Sequence, residues 1–288
     1  MSGGRGTIFV EDAEVISHVA HPSKQFVLRV RAPRCAASAE PGSFVHLRCD
    51  PALPMRRPYS IMRTSPREGW VELLYKIVGA GSQALSQRRP GETVSVMGPI
   101  GQPFRTTRER PRTLLVGGGV GIPPMIFLAE RLAAESGWKP LVLMGSEIPF
   151  PFELTRPSLE VVGIPDAANA AIALLEGWRV PSRLASGVAQ EGCYRGYVTD
   201  LARAWLDTLD ARARSEVAIY ACGPTAMLAA TAKVAREYEL PCQVALEELM
   251  ACATGGCAGC AVKVRTPEGE AMKRVCVDGP VFDAAQVF

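Results

Sequence analysis

The chain has 288 residues, 48% of them hydrophobic and 21% charged, with a formal net charge of +3. That balance fits a globular protein of two ordinary domains and a small appendage, and excludes the strongly basic surface of a nucleic-acid binder. No apolar run approaches the length that crosses a membrane and the first residues lack an apolar signal core, so a cytoplasmic protein is expected. In a reducing compartment the nine cysteines are expected as ligands, catalytic groups or buried thiols rather than disulfides.

Residues of about 7–105 read as β-rich. Phe26–Arg31 alternates as a half-buried strand does, a Pro41-Gly42-Ser43 turn precedes Phe44–Arg48, and Val71–Val78 and Glu92–Met97 read as further strands. Short strands separated by turn residues, with little helical periodicity, suggest an antiparallel barrel. Within it, Arg57 offers a forked cation for a pyrophosphate, Pro58 an extended backbone, Tyr59 a flat face for a ring and Ser60 a hydroxyl. Tyr75 and Lys76 follow, then Gly79-Ala-Gly81-Ser82, where Gly81 and Ser82 could bring backbone N–H groups to phosphate at the start of a short helix, Ser82–Ser86.

The stretch 105–112 is polar, basic and ends near a proline, as a domain linker does. Beyond it strands and helices alternate. The strand Thr113–Val116 runs into Gly117-Gly-Gly119-Val-Gly121 and a helix over Ile122–Ala133, with Pro124 in its first turn. A strand, a glycine loop and a helix N-terminus together suit a dinucleotide phosphate, here in the form G-x-G-x-x-P at Gly119, Gly121 and Pro124. A strand is expected at Leu141–Met144, another at Leu159–Val162, and a helix near Ala167–Leu175. The strand Val217–Ala221 leads into Cys222-Gly223-Pro224 and a helix over Ala226–Tyr238.

The tail carries Cys252, Cys257 and Cys260 as C-x4-C-x2-C, then fifteen residues and Cys276. The triplet is the plant-type spacing for a [2Fe–2S] cluster held by four thiolates, and the small residues between leave room for backbone N–H groups to face the sulfurs. Four thiolates also suit zinc, although zinc sites more often use two C-x2-C pairs. Two short strands, Ala261–Arg265 and Met272–Val275, lie between the third and fourth cysteines.

Arg-x-Tyr-Ser, Gly-x-Gly-Ser and Gly98-Pro-x-Gly101, in that order, resemble the FAD-binding barrel of the ferredoxin reductase superfamily. The resemblance implies that Arg57 holds the FAD pyrophosphate, Tyr59 stacks near the isoalloxazine and Ser60 bonds near its N5. It also makes Pro58, Leu74, Tyr75, Lys76, Gly81 and Ser82 cofactor contacts. Cys222, with Gly223 and Pro224, would lie beside the nicotinamide, with Ser60 and Cys222 at the reacting edge.

Leu-Glu-Glu-Leu-Met-Ala-Cys252 and Cys276-Val-Asp-Gly-Pro-Val-Phe282 add a narrower likeness, to the electron-transfer subunit of the two-subunit, NAD-dependent dihydroorotate dehydrogenase. That likeness implies an FAD barrel over 1–107, a parallel-sheet NAD domain over 108–241 and a β-rich [2Fe–2S] domain over 242–288. It also implies a partner: an FMN-containing dihydroorotate dehydrogenase catalytic subunit, in a heterotetramer of two of each chain, working in pyrimidine biosynthesis. A small subunit of an NADPH–ferredoxin oxidoreductase or of a sulfhydrogenase shares the same motifs. A non-redox, zinc-stabilised nucleotide-binding module is a third alternative.

Overall fold

A computed structural model describes residues 7–288. The first part is a closed barrel of six antiparallel strands in the order β1-β2-β5-β4-β3-β6. They are β1 (Phe9–His21), β2 (Gln25–Arg31), β3 (Phe44–Arg48), β4 (Arg57–Ser65), β5 (Trp70–Lys76) and β6 (Thr93–Ile100). Closure leaves no strand edge unpaired, and period-two alternation sends Leu28, Val45, Leu47, Ile61, Leu73 and Val96 into one fully buried core. A short helix, α1 (Pro33–Ser38), follows β2. A second, α2 (Ala80–Leu85), follows β5, close to its expected place.

A seven-stranded sheet follows, ordered β12-β11-β8-β7-β13-β14-β17. Its first members are β7 (Arg112–Gly118), then α3 (Ile122–Ala133) and β8 (Lys139–Gly145). The next stretch departs from expectation. Leu159–Val162 is a turn region rather than a strand, and the helix expected near Ala167–Leu175 is a single turn further on. What forms instead is a two-stranded ribbon of β9 (Leu154–Thr155) and β10 (Ala171–Ile172), then α4 (Ala173–Gly177), β11 (Ser182–Ser186) and β12 (Tyr194–Arg195). The strand β11 pairs in parallel with β8 and is buried on both faces, so period-two alternation could not reveal it. Then come α5 (Val198–Leu206), α6 (Ala211–Ser215), β13 (Val217–Cys222), α7 (Thr225–Glu237) and β14 (Cys242–Ala245).

A hairpin of β15 (Ala261–Thr266) and β16 (Gly269–Arg274) carries the last lobe, and β17 (Val281–Asp283) and α8 (Ala284–Val287) end the chain. The last segment is not a free appendage. Its strand β17 runs antiparallel to β14 at the edge of the large sheet, the one antiparallel pairing there. Its small core borrows Phe44 and Ile100 from the barrel. On the other side, α3 lies between barrel and sheet. Its Phe127 is buried in the barrel core while Met125 and Ile126 pack on the sheet, and Glu130 accepts from Arg63 of β4 at 2.6 Å. Full burial of one phenylalanine contributes about 1.5–3 kcal/mol, so this helix clamps the two units together. Among the described residues no helix is long and apolar enough to cross a membrane.

Candidate flavin and cluster sites

Barrel, sheet and the stretch Leu246–Met250 enclose a cavity of about 530 Å³. Arg57, Pro58, Tyr59, Ser60, Leu74, Tyr75, Lys76, Gly81 and Ser82 line it from the barrel side, and Pro124 and Cys222 from the sheet side. Gly119, Gly121, Gly223 and Pro224 stand just outside this lining, in the two turns that carry Pro124 and Cys222.

Arg56 and Arg57 are neighbours with different fates. The Arg56 guanidinium is used up within the barrel, donating to the carbonyls of His46 (3.1 Å) and Ser95 (2.8 Å) and to Ser95 Oγ (2.8 Å). Arg57 donates only to the nearby carbonyls of Met55 and Arg56, both at 3.0 Å, and its side chain lies over the first turn of α2. Gly81 permits this, because a Cβ there would stand 3.0 Å from Arg57 Cγ and Nε. The Ser82 hydroxyl is occupied in shaping the same turn: it accepts from the N–H of Val78 (2.9 Å) and Gly79 (3.2 Å) and donates to the Gly79 carbonyl. A forked cation beside a turn framed by Ser82 is an arrangement suited to a phosphate.

The rings of Tyr59 and Tyr75 meet edge to face at 5.4 Å and form an aromatic wall. Burial pushes both phenols up, so both keep their protons. Ser60 precedes the buried Ile61 and is half-buried at the cavity.

On the sheet side the glycines have distinct uses. Gly119 has φ +54° and a Cβ there would meet nothing within 4 Å, so its open face is available to a ligand. Gly121 is needed for another reason: its Cβ would fall 2.5 Å from the carbonyl carbon and oxygen of Cys222. The two turns touch backbone to backbone, and Gly121 is the residue that lets them. Cys222 is 1% exposed, and burial, with the nearby Glu247 carboxylate, pushes its thiol well above the ordinary range. It lines the cavity as a buried, protonated thiol.

The stretch Leu246–Met250 lines the cavity, although its sequence marked it only as a route into the tail. The register Cys222↔Ala245 between β13 and β14 brings it there, a pairing of residues 23 apart in sequence that no local pattern announces. Glu247 lines the cavity and is exposed there, yet the protein packed around it raises its carboxyl pKa by desolvation.

Two residues past Met250 the cysteine loop begins. The loop links its cysteines in two pairs: the Cys257 backbone N–H donates to Cys252 Sγ at 3.4 Å, and Cys260 Sγ lies 3.3 Å from Cys276 Sγ. Gly259 N–H donates to Cys257 Sγ (3.4 Å) and Cys276 N–H to Cys260 Sγ (3.5 Å). Ala253, Ala258 and Gly255 at positive φ turn these N–H groups inward. N–H groups from Thr254 and Cys257 hold the Cys252 thiol down to about 6, whereas burial and the neighbouring Cys260 thiol push Cys276 up to about 12. Among the described residues no three His, Cys, Asp or Glu side chains gather around one point as a mononuclear site requires. Thiols in two pairs, with N–H groups aimed at the sulfurs, fit a two-iron cluster carrying two cysteines on each iron. Phe44 lines the cavity and also packs in the core of this lobe, so the two sites share a wall.

Comparison with known proteins agrees with this reading. Residues 10–104 match a family model described as an oxidoreductase FAD-binding domain. Residues 247–288 match the iron-sulfur cluster binding domain of dihydroorotate dehydrogenase B. A curated relative from Desulforamulus reducens, named dihydroorotate dehydrogenase B (NAD(+)), electron transfer subunit, is 30% identical over 285 residues, 96% of this chain and 98% of the relative. One of the same name from a Geobacillus species is 35% identical over 86% of each chain. Among solved structures, that of an NADH-dependent reduced ferredoxin-NADP oxidoreductase superposes with a TM-score of 0.76 at 26% identity, over 100% of this chain and 91% of the other. The ferredoxin reductase of carbazole 1,9a-dioxygenase, at 22% identity and a TM-score of 0.63 over 81% of this chain and 67% of that one, shares the fold. The chain belongs to the family of dihydroorotate dehydrogenase B electron transfer subunits, and carries that family's FAD-binding and iron–sulfur domains.

Proposed function

We propose that this chain takes electrons from a separate catalytic subunit that oxidises dihydroorotate, and passes them through a [2Fe–2S] cluster and FAD to NAD⁺. The observation that carries the reading is the shared wall. One cavity has Arg57, Tyr59 and Ser60 on the barrel side and Pro124 and Cys222 on the sheet side, and Phe44 and Met250 join it to the cysteine lobe. Bound FAD supplies the conversion between single electrons and a two-electron hydride. Arg57 and the Gly79–Ser82 turn bind its pyrophosphate, Tyr59 and Tyr75 orient its ring system, and Ser60 offers a hydroxyl at the reacting edge. The Gly119 loop and the Gly223-Pro224 turn seat the nicotinamide dinucleotide, and Cys222 fills the space beside its ring without donating a charge. Cys252, Cys257, Cys260 and Cys276 hold the cluster.

In this reading residues 1–107, 108–241 and 242–288 divide the work between flavin, nicotinamide and cluster. The catalytic subunit carries FMN, and two copies of each chain assemble in the cytoplasm. The test is co-production of this chain with that subunit and measurement of dihydroorotate-dependent NAD⁺ reduction. A complex that forms with full FAD and iron yet shows no such activity would refute the reading. The structural likeness to the ferredoxin-NADP oxidoreductase favours one second reading, a small subunit reducing or oxidising ferredoxin. Ferredoxin-dependent NADPH turnover in the absence of a dihydroorotate-oxidising partner would select it.

A further inference from the structure

The aromatic wall of the cavity is braced from behind by a ring of side chains that the reading above leaves unused. His18 Nδ1 lies 2.7 Å from the Arg88 carbonyl, and its Nε2 lies 2.8 Å from the Tyr75 hydroxyl. A carbonyl only accepts, so in the uncharged ring Nδ1 carries the proton, Nε2 accepts, and the Tyr75 O–H donates to it. Tyr75 is stacked on Phe26 at 5.4 Å and meets Tyr59 edge to face. The Tyr59 hydroxyl lies 3.6 Å from Cys49 Sγ, and Asp50, the next residue, pairs with the Arg88 guanidinium. The ring closes at Arg88, whose N–H is bonded to the last residue of α2, Leu85, at 3.0 Å.

We propose that His18 and Arg88 are positioning residues for the flavin: they fix the angle of the Tyr75–Tyr59 wall and tie it to the turn that seats the pyrophosphate. The consequence is mechanical. A flavin dinucleotide must satisfy two sub-sites at once, the ring on Tyr59 and the phosphates at Arg57 and Gly81. Arg88 touches both supports, its carbonyl serving the wall through His18 and its backbone N–H capping α2. A fixed wall lowers the ordering cost of binding. The proposal rests on the flavin reading above.

The experiment titrates deflavinated protein with FAD and records the visible circular dichroism of the bound flavin, in wild type, Tyr75→Phe, His18→Phe and the double variant. Tyr75→Phe removes one oxygen and keeps the ring, so it folds even if His18→Phe does not. Each single change is expected to weaken FAD about tenfold, the size of one lost hydrogen bond, and to alter the dichroism. The double variant should be no worse than either single one, because both remove the same bond. Unchanged FAD affinity and dichroism in Tyr75→Phe, with only a lower melting temperature, would make the ring a brace of the barrel and overturn the proposal. Failure of the wild type to bind FAD at all would overturn the flavin reading as well, and is distinct from that outcome.

Discussion

The flavin cavity and the cysteine lobe lie against each other and are built on opposite principles. The cavity is walled by side chains from barrel and sheet, and polar groups in and behind its walls have protein partners: Ser82 with its own turn, His18 with Tyr75 and Arg56 with Ser95. Its walls are held by contacts within the protein. The lobe has eight fully buried core residues, of which Phe44 and Ile100 come from the barrel and Cys260 and Cys276 are themselves ligands of the proposed cluster. Its hairpin β15–β16 stands as an isolated two-stranded sheet, which is marginal in water. A prearranged pocket can lose its cofactor and keep its shape, whereas a lobe whose core is half borrowed or ligating depends on the metal.

The largest break in that contrast is Cys276→Ser. A hard oxygen is a poor ligand for iron and sulfide, and the serine is buried where the thiol was 1% exposed. The expected result is loss of the cluster, measured as iron, sulfide and the low-temperature EPR signal of the reduced protein, with protease sensitivity confined to residues 247–288. NADH reduction of FAD should continue, because the barrel and sheet have their own cores. Loss of FAD together with the cluster would show that the two regions are not independent.

Gly121→Val tests the prearranged side. Any side chain there meets the Cys222–Gly223 backbone, so the turns must part. NADH reduction of the flavin is expected to fall by orders of magnitude while dithionite still reduces it. Gly119→Ala, whose added methyl meets no protein atom, should cost the fold only the strain of positive φ, about 1–2 kcal/mol, with any further loss in NADH reduction measuring how closely the dinucleotide approaches that face. Equal effects from the two substitutions, read by stopped-flow reduction, would contradict the assignment of separate uses.

This difference between two glycines of one loop also marks how far the sequence alone could be read. Local pattern found β2, β3, β5 and β6 through apolar, β-branched or aromatic runs bounded by turn residues, although β3 and β5 are buried on both faces. It found α3 to the residue, because Pro123 and Pro124 mark its first turn. It missed β11, Ser182-Arg-Leu-Ala-Ser186, which has no β-branched residue and is buried on both faces, and it assigned a strand to the turn at Leu159–Val162. Motifs named the residues Arg57, Tyr59 and Cys222. They could not reveal that Leu246–Met250 closes the cavity or that Gly121 is there for Cys222, because both depend on strand pairing across the sheet.

His46 sits at the seam between the two regions and sharpens the contrast through pH. It is 1% exposed on β3, and among the described residues no group completes a well-formed hydrogen bond to either ring nitrogen, the Met250 carbonyl standing nearby. Burial, with the charges of Arg56 and Arg57, lowers its pKa to about 4, against the weaker pull of the Met250 carbonyl. An unfolded histidine takes up a proton below about pH 6.5, and the folded one does so only near 4. The unfolded state therefore gains as pH falls through this window, and stability is lost by up to about 3 kcal/mol by pH 4. His46→Phe removes that loss. Urea unfolding of both proteins at pH 7, 5.5 and 4.5 should give curves that converge or cross on acidification, and parallel curves would rule His46 out.

The smallest expected effect lies on the stretch that belongs to both regions. The Glu247 carboxyl is pushed up by burial at the cavity edge. Below the unfolded pKa of about 4.3 it is protonated in both states and contributes nothing. As pH rises the unfolded carboxyl ionises first, so at neutral pH the fold carries a cost that Glu247→Gln relieves. The variant should melt slightly higher than wild type at pH 8 and at the same temperature at pH 4. Because the side chain is also exposed at the cavity, the gain is small. Glu247 further raises the Cys222 thiol, so the substitution should let that thiol ionise at somewhat lower pH, seen as faster alkylation at pH 9 under conditions that loosen the fold. A variant less stable than wild type at pH 8 would mean that the ionised carboxylate has a stabilising partner, and that Leu246–Met250 is held in place by charge rather than by the pairing of β14 with β13.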